Sequence, residues 1–337
     1  MPADSVHDDR TTAPSTVSPR PRLPVIDAAR AAALAAMASY HTFWDLGHLR
    51  LTAENYAGTP AGRLAAELIA GTFLVLVGVG LVLMNGRGIR LRPTLLRLAR
   101  IGAAALAVTL GTWIAFPDAF VFFGILHCIA VASVLGLPFL FLPTAVTALS
   151  AAAVIAAPHL LRAPVLDAPA LLFLGLGTAT PRTNDYVPLF PWFGLVLTGI
   201  ALGRLGVPRL ATSRLGAWQP ASAFARGAVF AGRHSLAIYL IHQPVLLSLL
   251  TGLVTVTGPN PRAGLQAFRV DYAAICTRTG GEPPLCRIAA RCTSEALMRE
   301  DLFREDGRPF SAAERLRAQA LSQGCYAAIE QAAQGSR

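Results

Sequence analysis

The feature that most constrains this chain is a succession of apolar runs, each roughly 18 to 25 residues long and parted from the next by clusters of arginine. An α-helix rises ~1.5 Å per residue, so a run of that length crosses the ~30 Å hydrocarbon layer of a bilayer. Composition points the same way. The chain is 54% hydrophobic and only 14% charged, where a soluble domain carries roughly 25% charged residues. The net charge of +10 comes wholly from arginine, because the chain contains no lysine. Those arginines sit between the apolar runs, where a membrane protein places them, so the basic balance does not indicate nucleic-acid binding.

Seven runs read as spans, at about 26–46, 62–84, 98–116, 120–138, 142–158, 187–206 and 229–256. The short, glycine-containing stretch 169–178 reads as a re-entrant or interfacial piece, or as an eighth span. The expected fold class is all-α: a polytopic transmembrane helical bundle over residues 25–256, then a small helical extramembrane tail over 257–337. Residues 1–24 are polar, rich in Pro, Ser and Thr, and predict a disordered cytoplasmic segment. The first apolar run is too long for a signal-peptide core and no small-residue cleavage site follows it, so it reads as a retained helix.

Arginine placement sets the expected orientation. Arg20 and Arg22 precede the first span, and Arg87, Arg90, Arg92, Arg97 and Arg100 lie between spans two and three without an acidic residue among them. Arg204, Arg209, Arg214 and Arg226 follow span six, again without acids, whereas the alternate loops mix signs. The positive-inside rule then puts the N-terminus in the cytoplasm, and seven spans put the C-terminus on the far side. The cysteines fit that placement. Cys128 lies within a span, and the other four, Cys276, Cys286, Cys292 and Cys325, are all in the tail. An even number there suits a disulfide-permitting compartment. Pairing Cys276 with Cys286 closes a short loop, and pairing Cys292 with Cys325 ties two tail helices together; three pairings are open in principle. The tail has no histidine and no C-x-x-C pair, so a zinc site is not expected. Ser311 and Glu314 form a capping-box pattern ahead of a helical run at 312–333.

Polar residues within spans are costly and therefore functional candidates. Span one carries Asp27, Arg30, Tyr40, His41 and Asp45. His41 is about 16 Å along the helix from Arg30. Asp45 follows one turn later on the same face, where a carboxylate can orient an imidazole. His127 in span four, and His234, Tyr239, His242 and Gln243 in span seven, add to the set, and three histidines on separate spans suggest a shared polar site. At the start of span six, Asp185 and Tyr186 either rim a site or belong with Trp192 to ordinary interfacial anchoring. No phosphate-binding glycine loop, no Gly-x-Ser-x-Gly elbow and no metal-ligand motif is present.

Ile26-Asp27-Ala28-Ala29-Arg30, Met37, Tyr40-His41 and Trp44-Asp45 together resemble the first helix of the bacterial relatives of heparan-α-glucosaminide N-acetyltransferase. Phe123 through His127, Pro188 through Gly194 and Gly232 through Pro244 resemble that family too, and in its order. The likeness covers about residues 22–250 and omits the tail. The Arg30-to-His41 spacing is similar to the arginine-x-ten-histidine motif of the acyltransferase-three membrane family. The resemblance implies acyl transfer from cytoplasmic acyl-CoA to an acceptor across the membrane, with His41 at the place of the catalytic histidine and Arg30 at that of the motif's arginine. In the animal heparan enzyme the position matching His41 looks like asparagine, and the catalytic histidine falls nearer His48. Both histidines are therefore candidates.

The reading that joins these observations is a multi-pass bacterial inner-membrane acyltransferase with its N-terminus cytoplasmic and its C-terminus periplasmic. Acetyl-CoA would be the donor, and an amine or hydroxyl of a sugar or envelope glycan the acceptor. His41 would act as general base or carry the acetyl group, Asp45 would orient it, and Arg30, Arg90 and Arg92 would hold the CoA phosphates. No metal is required, and the partners are acyl-CoA, the glycan acceptor and lipid, with homo-oligomerisation left open. The rivals are a transporter with a histidine proton relay and a membrane haem protein with paired histidine ligands.

Overall fold

A computed structural model describes residues 23–86, 88–303 and 310–335. Most of the segment expected to be disordered, with Arg20, Arg22 and Arg87, lies outside those residues. Among the described residues the regular elements are helices, with no strand. They are α1 (Pro24–His48), α2 (Pro60–Asn85), α3 (Leu91–Ala115), α4 (Ile125–Leu135), α5 (Thr144–Leu160), α6 (Leu189–Ala211), α7 (Ala223–Arg233), α8 (Ser235–Thr257), α9 (Leu265–Arg278), α10 (Pro283–Arg299) and α11 (Ala312–Gly335).

Local chemistry starts several of them. Pro24 and Pro60 sit in first turns, where the missing N–H costs nothing. Thr59 accepts from the Gly62 N–H to cap α2, and Ser222 accepts from Ala225 to cap α7. Ser311 and Glu314 bond each other's backbone N–H reciprocally, which is the capping box read from the sequence.

Among the described residues four helices are long and apolar enough to cross a bilayer: α2, α3, α6 and α8. α1 is 25 residues long but carries Asp27, Arg30 and Asp45. The span expected at 120–138 contains a helix of only 11 residues, about 16 Å of rise. Pro117 and Pro138 start short 3₁₀ turns on either side, and the chain between the first turn and α4 pairs with another loop, Asn184 N–H to Ala119 and Val187 N–H to Phe123. The expected start of span seven at 229 is also displaced. The helix breaks at His234 (φ −104°, ψ 20°), so α7 is separate and α8 begins at Ser235. The stretch 169–178 is no eighth transmembrane helix. It holds a six-residue 3₁₀ helix, Pro169–Leu174, ended by Gly175 at φ 79°.

The centre of the bundle is the crossing of α2 and α6, which run in the same direction. A methyl group at Gly78 would overlap the Val196 carbonyl, and one at Gly199 would overlap that of Val75, so glycine permits backbone-to-backbone contact. Leu74, Leu81, Val196, Leu197 and Ile200 are fully enclosed there, with Cys128 and Ala132 of α4. Large apolar side chains on the outside, among them Leu106, Trp113, Ile114 and Leu149, are exposed. α8 has no buried residue although it is strongly apolar, which suits a helix facing lipid. The tail packs α10 against α9 and α11, with disulfides Cys276–Cys286 and Cys292–Cys325.

Candidate active site

α1 carries its polar residues on one stripe. Asp27, Arg30, His41 and Asp45, with buried Leu34 and Met37 between them, follow the helical repeat along a single face. On α8, Ser235, Tyr239, His242 and Gln243 do the same. The helices run parallel, since Asp27 meets Arg233, His41 meets His242, and the Asn260 N–H reaches the Arg50 carbonyl. The two stripes therefore face each other along their length.

At the N-terminal ends of these helices Asp27 joins two arginines. Arg30 Nη1 lies 3.1 Å from Oδ1 and Arg233 Nε lies 3.2 Å from Oδ2. Arg233 reaches Asp27 because α7 lies hard against α1; a methyl at Gly232 would overlap the Asp27 carbonyl. A cavity of about 650 Å³ opens beside this cluster, within the usual size of a small-molecule site, ~300–1,000 Å³. Arg30, Arg97, Arg100 and Arg233 line it, with Asp27 the one acid among the described residues of its wall. Much of the remaining wall is apolar: Phe73, Leu76 and Val77 of α2, Ile101 of α3, Ile125, Leu126 and Ile129 of α4, and Leu236 of α8. Tyr239 lines it one turn further along α8 from Ser235.

Tyr239 also leads to the histidines. Its carbonyl oxygen lies 2.7 Å from Nδ1 of His242. Nε2 of His242 lies 2.7 Å from Nδ1 of His41. Their ring centroids are 4.9 Å apart with the planes 6° from parallel. That separation is what the nitrogen–nitrogen distance and the two ring radii add up to, so the rings lie edge to edge in a common plane.

Asp45 has a different partner from the one expected. It is fully buried and accepts from Gln243 Nε2 at 2.8 Å, while His41 is bonded to His242. Successive residues of α8 thus take the two members of the α1 pair. His127 does not join the histidine pair either. Its Nδ1 accepts from the Gly124 N–H at 3.3 Å and its Nε2 bonds Thr109 Oγ1 at 3.1 Å, which in turn donates to the Val121 carbonyl. Nδ1 thus closes the first turn of α4, and Nε2 ties that turn to α3.

The other candidates fall in three places. Asp185 Oδ2 accepts from the Ile125 N–H at 2.8 Å, a carboxylate at the N-terminus of α4. Tyr186 Oη donates to the Leu172 carbonyl at 2.6 Å, and Trp192 packs half-buried on the core. These three hold loops and α6 in place. His48 is exposed at the end of α1, near-parallel to Trp44 at 4.7 Å and edge-on to Phe116 at 6.0 Å. His234 is exposed at the α7–α8 break, with Nδ1 2.9 Å from the Phe230 carbonyl. Arg90 and Arg92 are exposed and do not line the cavity; the Arg90 N–H is taken by Asn85 Oδ1. Arg97, Arg100 and Arg233 line it instead. The signal for Arg97 and Arg100 was their three-residue spacing, legible as a helix face only once α3 is seen to start at Leu91.

Among the described residues no group of three or more His, Cys, Asp or Glu side chains is placed to hold a metal ion. The His41–His242 pair is joined nitrogen to nitrogen, which leaves no room for an iron between the rings. No curated protein sequence and no solved structure is significantly similar to the chain. The family model described as heparan-alpha-glucosaminide N-acetyltransferase, catalytic, matches residues 22–244, from the first residues of α1 through the histidine pair to the proline of α8, and the chain belongs to that family.

Proposed function

We propose that the protein is a membrane acyltransferase that takes an acetyl group from acetyl-CoA on the cytoplasmic side and delivers it to an amine or hydroxyl of a sugar or envelope glycan on the far side. The observation that carries this reading is the cavity, which runs from four arginines to Tyr239, whose carbonyl holds the His242–His41 pair. CoA is a polyphosphate joined to a long, weakly polar arm ending in sulfur. Arg30, Arg97, Arg100 and Arg233 suit the phosphates by charge-assisted hydrogen bonds. The apolar wall suits the arm; His41 and His242 do not themselves line the cavity, and Tyr239 is the wall residue that connects it to them. His41 is the general base for the acceptor.

In this reading α1 to α6 and α8 make seven crossings, and that odd number sets the direction of transfer. α4 is short, but non-helical backbone is tolerated at membrane depth where protein buries it, and residues 119–123 are hydrogen-bonded to 184–187. The arginine-rich connections α2–α3 and α6–α7 then face the cytoplasm with the N-terminus. The disulfide-bonded tail lies in the periplasm. Labelling intact cells with an impermeant thiol reagent, with and without reductant, tests the placement; tail thiols shielded from outside would reverse it.

The activity is tested with the full-length protein in lipid nanodiscs, by calorimetric titration with acetyl-CoA and by transfer of radiolabelled acetyl groups to amino sugars and hydroxylated sugars. Binding together with acetylated product is the expected result. Solute counterflow in proteoliposomes with no acetyl-CoA binding would replace this reading with the transporter.

A further inference from the structure

We propose that His242 is the positioning residue of the site: it fixes the tautomer of His41 and leaves Nε2 of His41 as a bare lone pair. The assignment rests on the acyl-transfer reading for its catalytic consequence, and on hydrogen-bond geometry alone for the tautomer.

The argument begins at a backbone oxygen. A carbonyl only accepts hydrogen bonds, so the 2.7 Å contact from the Tyr239 carbonyl requires a hydrogen on Nδ1 of His242. The contact between His242 Nε2 and His41 Nδ1, also 2.7 Å, has room for one hydrogen. If His242 supplied it, that ring would carry both hydrogens and a full positive charge. In the neutral pair the one hydrogen of His242 is the one held on Nδ1 by the Tyr239 carbonyl, so its Nε2 accepts and His41 donates from Nδ1. The common plane of the two rings puts the lone pair of one in line with the N–H of the other. A neutral His41 with its hydrogen on Nδ1 has none on Nε2.

Which nitrogen of a catalytic histidine is free is set by the bond the other one makes. Here a second imidazole anchored to backbone fills the place often taken by a carboxylate. During transfer, the acceptor nitrogen or oxygen bonds the acetyl carbonyl carbon as its proton passes to His41 Nε2. The carbon–sulfur bond breaks, and the proton moves from Nε2 to the CoA sulfur, giving the thiol and the acetylated product. Through both steps the His41 Nδ1–H stays on His242 Nε2, which holds the ring and stabilises its transient charge.

The test compares His242→Leu, which removes the acceptor, with His242→Gln, whose side-chain oxygen can replace it, in the full-length protein in nanodiscs. The expected result is that His242→Leu lowers kcat about 10- to 100-fold with KM for acetyl-CoA unchanged, and that His242→Gln recovers most of the loss. Wild-type kcat in His242→Leu, a loss confined to KM, or no recovery in His242→Gln would overturn the proposal. Nitrogen-15 NMR of histidine-labelled protein reads the tautomer directly, with His41 signals assigned by their disappearance in His41→Asn. The wild type should show His41 protonated at Nδ1 and bare at Nε2, and His242→Leu should abolish that preference. A wild-type His41 protonated at Nε2 overturns the assignment whether or not any acetyl transfer is detected, so its failure and that of the acyl-transfer reading are told apart.

Discussion

Asp45 Oδ1 and Gln243 Nε2 lie 2.8 Å apart, in a contact that leaves Asp45 Oδ2 and Gln243 Oε1 buried and unpartnered. Bare oxygens on one buried pair cost free energy that a hydrogen between them recovers. Asp45→Asn supplies that hydrogen on the amide nitrogen, so it should match or exceed the wild type in thermal stability. Asp45→Ala strands Gln243 and should lose about 1–3 kcal/mol. Melting curves of the detergent-purified variants check this; equal losses in both would remove the pair from any role in holding α1 to α8.

The arginines that line the cavity are expected to govern donor affinity. Replacing Arg97, Arg100 or Arg233 singly by glutamine removes charge-assisted bonds of about 1.5–3 kcal/mol, roughly a 10- to 100-fold rise in Kd for acetyl-CoA. Arg90→Gln and Arg92→Gln should leave Kd unchanged, because both side chains are exposed away from the cavity. Calorimetric titration of correctly inserted variants decides the matter, and the reverse ranking would move the donor site to the α2–α3 connection.

His41 and His48 are separated by their surroundings. His41→Ala should insert normally and lose about 100- to 10,000-fold in turnover, the usual cost of a missing general base. His48→Ala should keep most activity, since its ring stacks on Trp44 in an exposed cluster. If His48→Ala is the dead variant, the base is His48.

In the tail, Arg317 holds the Glu300 carboxyl below the usual glutamate range through two hydrogen bonds of 2.6 Å. A carboxyl depressed in the folded state stabilises the fold above its unfolded pKa, and that contribution disappears as pH falls through the folded value. Hydrogen exchange across α10 and α11 of the full-length protein should therefore be slower in the wild type than in Glu300→Gln at neutral pH. The difference should shrink to nothing in acid. A difference that persists below the glutamate range would assign it to packing.

By itself the sequence determined that this chain is a bundle of apolar helices, and the residues from Ile26 to Pro244 were enough to show its family. Those properties are local: the length of an apolar run, the helical spacing of Asp27, Arg30, His41 and Asp45, and a capping box at Ser311 and Glu314 can all be read along one strand of text. Partnership could not be read that way. From spacing alone Asp45 belonged with His41 one turn away, yet α8 brought His242 and Gln243 alongside, and a linear hydrogen bond between coplanar rings outweighed proximity along the helix. His127 was claimed by the first turn of α4, whose brevity followed from prolines and a loop pairing across about sixty residues. Arg97 and Arg100 came to line the cavity only because α3 begins earlier than its apolar run. The tertiary structure decided each of these, because hydrogen bonds and cavities form between faces of different helices, and the register between helices is set by packing such as Gly78 on Val196 and Gly232 on Asp27.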